Sequence, residues 1–74
     1  MSVFIRPNEV LRAYVGGRSE IEVAPGQTVR ETLAALGIPA ELVAVVVVND
    51  DQLDKDYILL DGDRVRLLAV IGGG

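Results

Sequence analysis

Seven apolar residues in a row, Leu42-Val43-Ala44-Val45-Val46-Val47-Val48, constrain this chain more than any other feature. Five of them are valine, β-branched and stiff, and none is polar, so the run reads as a strand rather than a helix or a loop. Continuous apolarity predicts a strand buried on both faces and central in its sheet. Asn49-Asp50-Asp51 bounds it with turn formers. A chain of 74 residues can bury such a strand only by building the rest of the sheet and a covering layer around it. Without a cysteine or a histidine, disulfides, thiolate zinc sites and cysteine nucleophiles are excluded by count, and burial alone must hold the fold.

The covering layer is visible just upstream. Thr28-Val29-Arg30-Glu31 fits a capping box, in which the threonine hydroxyl and the glutamate carboxylate satisfy N–H groups reciprocally. Val29, Leu33 and Leu36 make one apolar stripe, Gly37 suits the left-handed position past the helix end, and Pro39 prevents continuation. Before this helix, Val3-Phe4-Ile5 reads as a short strand stopped by Pro7, and Glu20-Ile21-Glu22-Val23 alternates with the period of a half-buried strand. Between them, Asn8 can cap a helical turn running to Val15, with Leu11, Tyr14 and Val15 on one side; a hairpin is the alternative. Gly16-Gly17 ends the segment either way, and Pro25-Gly26 is a turn.

After the apolar run, Gln52 to Leu60 is mixed and leaves room for a short strand and a helical turn. Asp61-Gly62-Asp63 turns into a last strand, Arg64 to Val70. Alternation puts Val65, Leu67, Ala69 and Ile71 on the helix side, and Arg64, Arg66, Leu68 and Val70 on the other. One helix covers one face of a sheet, so the second face is expected to keep an apolar patch beside the chain's end, a mark of protein binding. A loop, or the segment after Asn8, covering that patch is the plainer alternative.

The chain closes on Gly72-Gly73-Gly74. Three glycines are slender enough to enter a slot that a side chain would block, and in extended form they carry a carboxylate roughly 10 Å beyond the last strand. A frayed terminus or an expression remnant is the bland reading. Composition narrows the partners. Eleven acidic against seven basic residues give a net charge of −4, which argues against a nucleic-acid surface. No stretch approaches a membrane span, and the N-terminus lacks a signal-peptide layout, so a cytoplasmic protein is expected. Asp61 and Asp63 read as turn caps rather than metal ligands, and no metal site is expected. Asp50, Asp51, Asp54 and Asp56 read as a solvated loop, or as a face for a basic partner. Tyr14 and Tyr57 read as packing residues, and no phosphate loop follows any of the glycine turns.

Strand, strand, helix, buried strand, connector, strand and a Gly-Gly end resemble the MoaD/ThiS sulfur-carrier family. The resemblance spans essentially the whole chain. It rests on Leu11-Arg12-Ala13-Tyr14-Val15-Gly16-Gly17, on Pro25-Gly26-Gln27-Thr28-Val29-Arg30-Glu31-Thr32-Leu33, on Leu60-Asp61-Gly62-Asp63-Arg64-Val65 and on Gly73-Gly74. It implies an α+β, ubiquitin-like β-grasp fold over residues 1–71, a mixed four- to five-stranded sheet on one main helix, with residues 72–74 as a flexible tail. Two departures stand out. Val48-Asn49-Asp50 replaces the family's Val-Asn-Gly, and aspartate tolerates the left-handed turn. Val70-Ile71 looks thiamine-type, whereas the long segment before the helix points toward molybdopterin-type members.

What the resemblance implies about function is specific. The chain would be a carrier, not an enzyme, or the small non-catalytic subunit of a synthase. An ATP-dependent, E1-like adenylating enzyme would convert the Gly74 carboxylate to an acyl-adenylate. A sulfur donor would turn that into a thiocarboxylate, and the sulfur would pass to a molybdopterin, tungstopterin or thiamine precursor in a synthase large subunit or a thiazole synthase. Gly72 and Gly73 would form the arm, and Phe4, Leu68 and Val70 the docking face. The chain itself would bind no cofactor; ATP and the sulfur donor belong to the partner. A ubiquitin-like modifier conjugated through Gly74 and a β-grasp binding module with an inert tail are the alternatives.

Overall fold

The structure, a computed structural model, describes residues 1–70; Ile71 and the glycines Gly72, Gly73 and Gly74 lie outside the described residues, and with them the inward orientation expected of Ile71. The helix that organises the fold, α2 (Val29–Leu36), begins and ends as its sequence dictates. Glu31 N–H donates to the Thr28 hydroxyl at 3.0 Å, and Thr28 N–H donates to the Glu31 carboxylate at 2.9 Å, closing the capping box. At the other end Gly37 takes φ +77°. Its N–H donates to the Ala34 carbonyl, and Ile38 N–H reaches back to that of Leu33 at 2.9 Å. These are the paired bonds of a Schellman motif, and Leu33 and Ile38 supply its buried apolar contact. Val29 and Leu33 are buried as the stripe requires, whereas Leu36 is only half-buried. The third buried residue of the helix is Thr32, whose hydroxyl donates to the Thr28 carbonyl at 2.9 Å and so enters the core with its polar group satisfied.

Beneath this helix lie five strands: β1 (Val3–Pro7), β2 (Ile21–Val23), β3 (Val43–Val48), β4 (Asp51–Leu53) and β5 (Arg64–Ala69). They lie in the order β2-β1-β5-β3-β4. The β1–β5 pair is parallel and every other pair is antiparallel. The centre of the sheet is therefore β5, not the valine-rich strand, although β3 is interior, between β5 and β4.

Burial on both faces of β3 is not observed. Val43, Val46 and Val48 are buried, Val45 and Val47 are half-buried, and Ala44 is exposed. Val43 and Val46 have opposite parity, yet both reach the core because the register against β5 slips between Val43 and Val45. That bulge inserts an extra residue and turns the strand's start inward. One helix layer leaves the outer face to solvent, so Val45 and Val47 have no second layer to enter.

The remaining segments settle the open readings. After Pro7, Asn8 caps a real helical turn, α1 (Glu9–Arg12), which tightens into a 3₁₀ turn over Ala13–Val15. Leu11 N–H donates to the Asn8 side chain at 3.2 Å, and the Leu11 side chain is fully buried. The β3–β4 hairpin turns on Asn49 and Asp50 with φ of +51° and +73°, the primed two-residue loop that matches strand twist. Aspartate thus occupies the left-handed position in place of glycine. Past β4 no helix forms. Asp54 to Tyr57 make a single turn, with Tyr57 N–H donating to the Asp54 carbonyl at 3.3 Å, and the chain then runs beside the helix entrance, where Leu59 N–H donates to the Gln27 carbonyl and Gly26 N–H to that of Leu59, both at 2.8 Å. Leu59 drops into the core between these bonds.

Candidate functional site

Strand β5 delivers the chain to its end, and its alternation is clean. Val65, Leu67 and Ala69 are buried, while Arg64, Arg66 and Leu68 face outward. Val70 N–H donates to the Leu42 carbonyl at 2.8 Å, which fixes the point of departure from the sheet against the 3₁₀ turn Ala40–Leu42. The expected working residues Gly72, Gly73 and Gly74 follow this point, outside the described residues.

Leu68 and Val70, 43% and 49% exposed, make the apolar surface beside the departure point. Val45 is paired with Leu68 and extends it. The segment after Asn8 does not cover them, because it turns Leu11 into the core instead. Phe4 is elsewhere. Its partner in register is Arg64, four residues before Leu68, which separates the two by about 13 Å along the strand. The structure therefore joins Leu68 to Val70 and sets Phe4, half-buried, at the far end of the same face.

Between these apolar ends lies a row of charge: the sequence placed Arg64 and Arg66 on this face, but not Arg6 beside them. Arg6 and Arg66 are direct partners in the β1–β5 register, with Val47 next to Arg66 on β3. The Arg64 guanidinium sits 5.9 Å from the centre of the Phe4 ring, within cation–π range. Phe4, Arg6, Arg64 and Arg66 line a shallow concavity of about 400 Å³, together with Glu20 and Asp50. Glu20 approaches Arg6 at 3.7 Å and Asp50 approaches Arg66 at 3.9 Å. The signal for Arg6 was available, since it alternates with the inward Ile5 and Pro7. The acidic loop is mostly occupied with itself and its neighbours. Asp54 caps the Asp56 N–H at 2.8 Å, and Asp56 pairs with Arg30 at 3.4 Å.

A second polar cluster holds the entrance to β5. Asp63 is buried, and its carboxylate accepts three hydrogen bonds at 2.8 Å, from the Asn49 amide, the Tyr57 hydroxyl and the Leu60 N–H. Asn49 returns the connection, accepting from Arg64 N–H at 2.9 Å. Burial pushes the Asp63 carboxyl up, but the Leu60, Tyr57 and Asn49 donors outweigh it and hold the group below its ordinary value. The Tyr57 hydroxyl is raised, first by its hydrogen bond to Asp63, then by burial and by the carboxylate's charge. Tyr57 thus packs and also bonds, and Asp63 caps a backbone N–H as its turn position implied. Among the described residues no cluster of His, Cys, Asp or Glu could hold a metal, and no helix is long and apolar enough to cross a membrane.

A mixed sheet in the order β2-β1-β5-β3-β4, its central parallel pair crossed by one main helix, defines a ubiquitin-like β-grasp protein. The chain belongs to the ThiS family, whose model matches residues 5–74, including the terminal glycines. This is the MoaD/ThiS sulfur-carrier family that the sequence resembles.

Solved structures give the same fold. SAMP1 from Haloferax volcanii matches with a TM-score of 0.71 at 19% identity, covering 100% of both chains. The HVO 2177 protein of the same organism matches with a TM-score of 0.71 at 27% identity, over 100% of this chain and 87% of that one. A chain from the complex of subunits 1 and 2 of the molybdopterin-converting factor of Helicobacter pylori 26695 matches with a TM-score of 0.63 at 24% identity, over 100% of both chains. A search by sequence finds no significant match among curated proteins.

Proposed function

We propose that this chain carries sulfur on its terminal carboxylate. The family match running through Gly74 is the observation that supports this most directly. An ATP-dependent, E1-like adenylating enzyme activates the Gly74 carboxylate, whose oxygen attacks the α-phosphorus of ATP and expels pyrophosphate. A sulfur donor then displaces AMP, and the resulting thiocarboxylate gives up its sulfur in cofactor biosynthesis, of the molybdopterin, tungstopterin or thiamine kind.

This chemistry asks of the carrier a slender arm and a body that docks. Gly72 and Gly73 lend no side chain to obstruct entry. Leu68 and Val70, exposed beside the point where the arm departs, are the docking contacts, with Phe4 as a separate contact at the other end of the face. The partners are the adenylating enzyme and then a synthase large subunit or a thiazole synthase. The similar Helicobacter chain comes from a protein–protein complex, in keeping with a carrier that docks. The chain contributes no catalytic side chain and no bound cofactor; ATP and the sulfur donor are the partner's.

The likeness to SAMP1 is in keeping with a second reading, a ubiquitin-like modifier joined to target lysines through Gly74. Intact mass measured after incubation with ATP, the adenylating enzyme and a sulfur source tests the first. An oxygen-to-sulfur exchange at the C-terminus is the expected result. Isopeptide conjugates in cells, with no thiocarboxylate formed, would favour the modifier instead.

A further inference from the structure

The register of β1 against β5 sets two arginines of the outer face directly opposite each other, Arg6 against Arg66. Like charges at paired positions destabilise a sheet. The chain as a whole is acidic, at −4, yet three of its seven basic residues (Arg6, Arg64 and Arg66) gather on this face. Its own counter-charges compensate weakly, since Glu20 and Asp50 each reach one arginine through a single long contact of 3.7 or 3.9 Å on exposed side chains. Such a local conflict, left standing in an otherwise consistent sheet, marks a site that something else completes.

We propose that Arg6 and Arg66 form a carboxylate clamp for an extended segment of a partner protein. One Glu or Asp side chain of that segment sits between the two guanidinium groups, and an apolar side chain two residues to either side rests on Phe4 and on Leu68. This rests on the reading of the outer face as a docking surface and names what docks there. The spacing follows from strand geometry. Phe4, the arginine pair and Leu68 occupy successive outward positions of β1 and β5, each row about 6–7 Å from the next. An extended peptide repeats its side chains on one face at that same interval, so apolar, acidic and apolar residues at alternate positions meet the three rows together. Arg64 is held at the Phe4 ring and forms one end wall of the concavity. A carboxylate held by two arginines replaces the repulsion between them with charge-assisted hydrogen bonds, displacing Glu20 and Asp50 to solvent.

The full chain, labelled with nitrogen-15, is titrated at low salt with acetyl-Leu-Ser-Glu-Ser-Leu-amide and with the peptide in which glutamine replaces glutamate. The acidic peptide is expected to move the side-chain Nε resonances of Arg6 and Arg66 and to bind about tenfold more tightly than its glutamine counterpart. Arg66→Gln and, separately, Arg6→Gln each remove that preference while thermal unfolding stays within a few degrees. Equal binding of the two peptides overturns the clamp. So does the absence of any shift at roughly millimolar peptide, or an equal response of the same arginines to inorganic phosphate. ATP–pyrophosphate exchange on the wild-type chain with the adenylating enzyme is run in parallel. Exchange without glutamate-dependent peptide binding sinks the clamp alone, and binding without exchange sinks the carrier reading alone.

Discussion

Asp63→Asn tests whether the polar cluster at the start of β5 governs stability. The carboxylate accepts from Tyr57 and Leu60 on one oxygen and from Asn49 on the other. An amide has a single acceptor oxygen. If that oxygen keeps Tyr57 and Leu60, its NH2 group meets the NH2 of Asn49, donor against donor. Flipping Asn49 offers no escape, because its own oxygen already accepts the Arg64 N–H. One charge-assisted bond is lost, on the order of 1.5–3 kcal/mol, and the other two fall to neutral strength. Water can reach Asn49 and recover part of this, which leaves about 2–3 kcal/mol. For a domain of this size that corresponds to roughly 10–20 °C in the unfolding midpoint.

The pH dependence supplies an independent check. Asp63 has a folded value below its unfolded one. The unfolded state therefore binds more protons across that interval, and the stabilisation is present above the ordinary carboxylate value near 4, then lost as pH falls through the folded value. Urea unfolding followed by circular dichroism at a series of pH values should show Asp63→Asn far below wild type at neutral pH and the two curves converging in acid. A loss under about 0.5 kcal/mol at neutral pH, of the size expected for an unremarkable surface change, would refute the reasoning. So would a gap that does not close in acid.

Other expectations are simpler. Tyr57 should titrate above the ordinary tyrosine value of about 10, with stability falling as pH rises from there toward its raised value; ultraviolet absorbance and unfolding at alkaline pH read both. Thr28→Ala removes the hydroxyl that accepts the Glu31 N–H, while the residue 28 N–H can still donate to the Glu31 carboxylate, and should lower stability by about 1 kcal/mol in chemical unfolding, without affecting adenylation under folding conditions. Leu68→Asp changes an outer-face side chain that is 43% exposed, so unfolding should move by about 1 kcal/mol or less while binding to the adenylating enzyme weakens; a collapse of stability would mean that Leu68 belongs to the core. Deleting Gly73-Gly74 should leave unfolding unchanged and abolish ATP–pyrophosphate exchange, whereas wild-type exchange from the shortened chain would show the glycines to be an inert end.

Features legible in the sequence are those whose physical cause is local. The α2 cap needs only Thr28 and Glu31 three residues apart, its stop was read from Gly37 and Pro39 alone, and the faces of β5 follow from strict alternation. The β3–β4 turn was equally readable from Asn49-Asp50. Features set by register between distant segments were not. Nothing within Val43–Val48 announces the slip against β5 that turns Val43 inward, and composition alone overstated the burial of that strand. The Asp63 cluster joins residues 49, 57, 60 and 63 only after β5 is paired. At the candidate site, the proximity of Leu68 and Val70 to the departing chain was visible as parity along one strand. The separation of Phe4 from them, and the opposition of Arg6 and Arg66, depend on how β1 aligns with β5.

The central place of β5 has a mechanical meaning. A pull on whatever follows Val70 runs straight into a strand flanked on both sides, by β1 and by β3. Force along the strand axis loads these two ladders in shear, many bonds at once, where an edge strand would offer a single ladder. The buried side chains Val65, Leu67 and Ala69 resist the same displacement from below. Under the proposed function, gripping the chain's end in a partner's slot and withdrawing it would load the strand along this line. The strand that bears the tug is the one that cannot be peeled away.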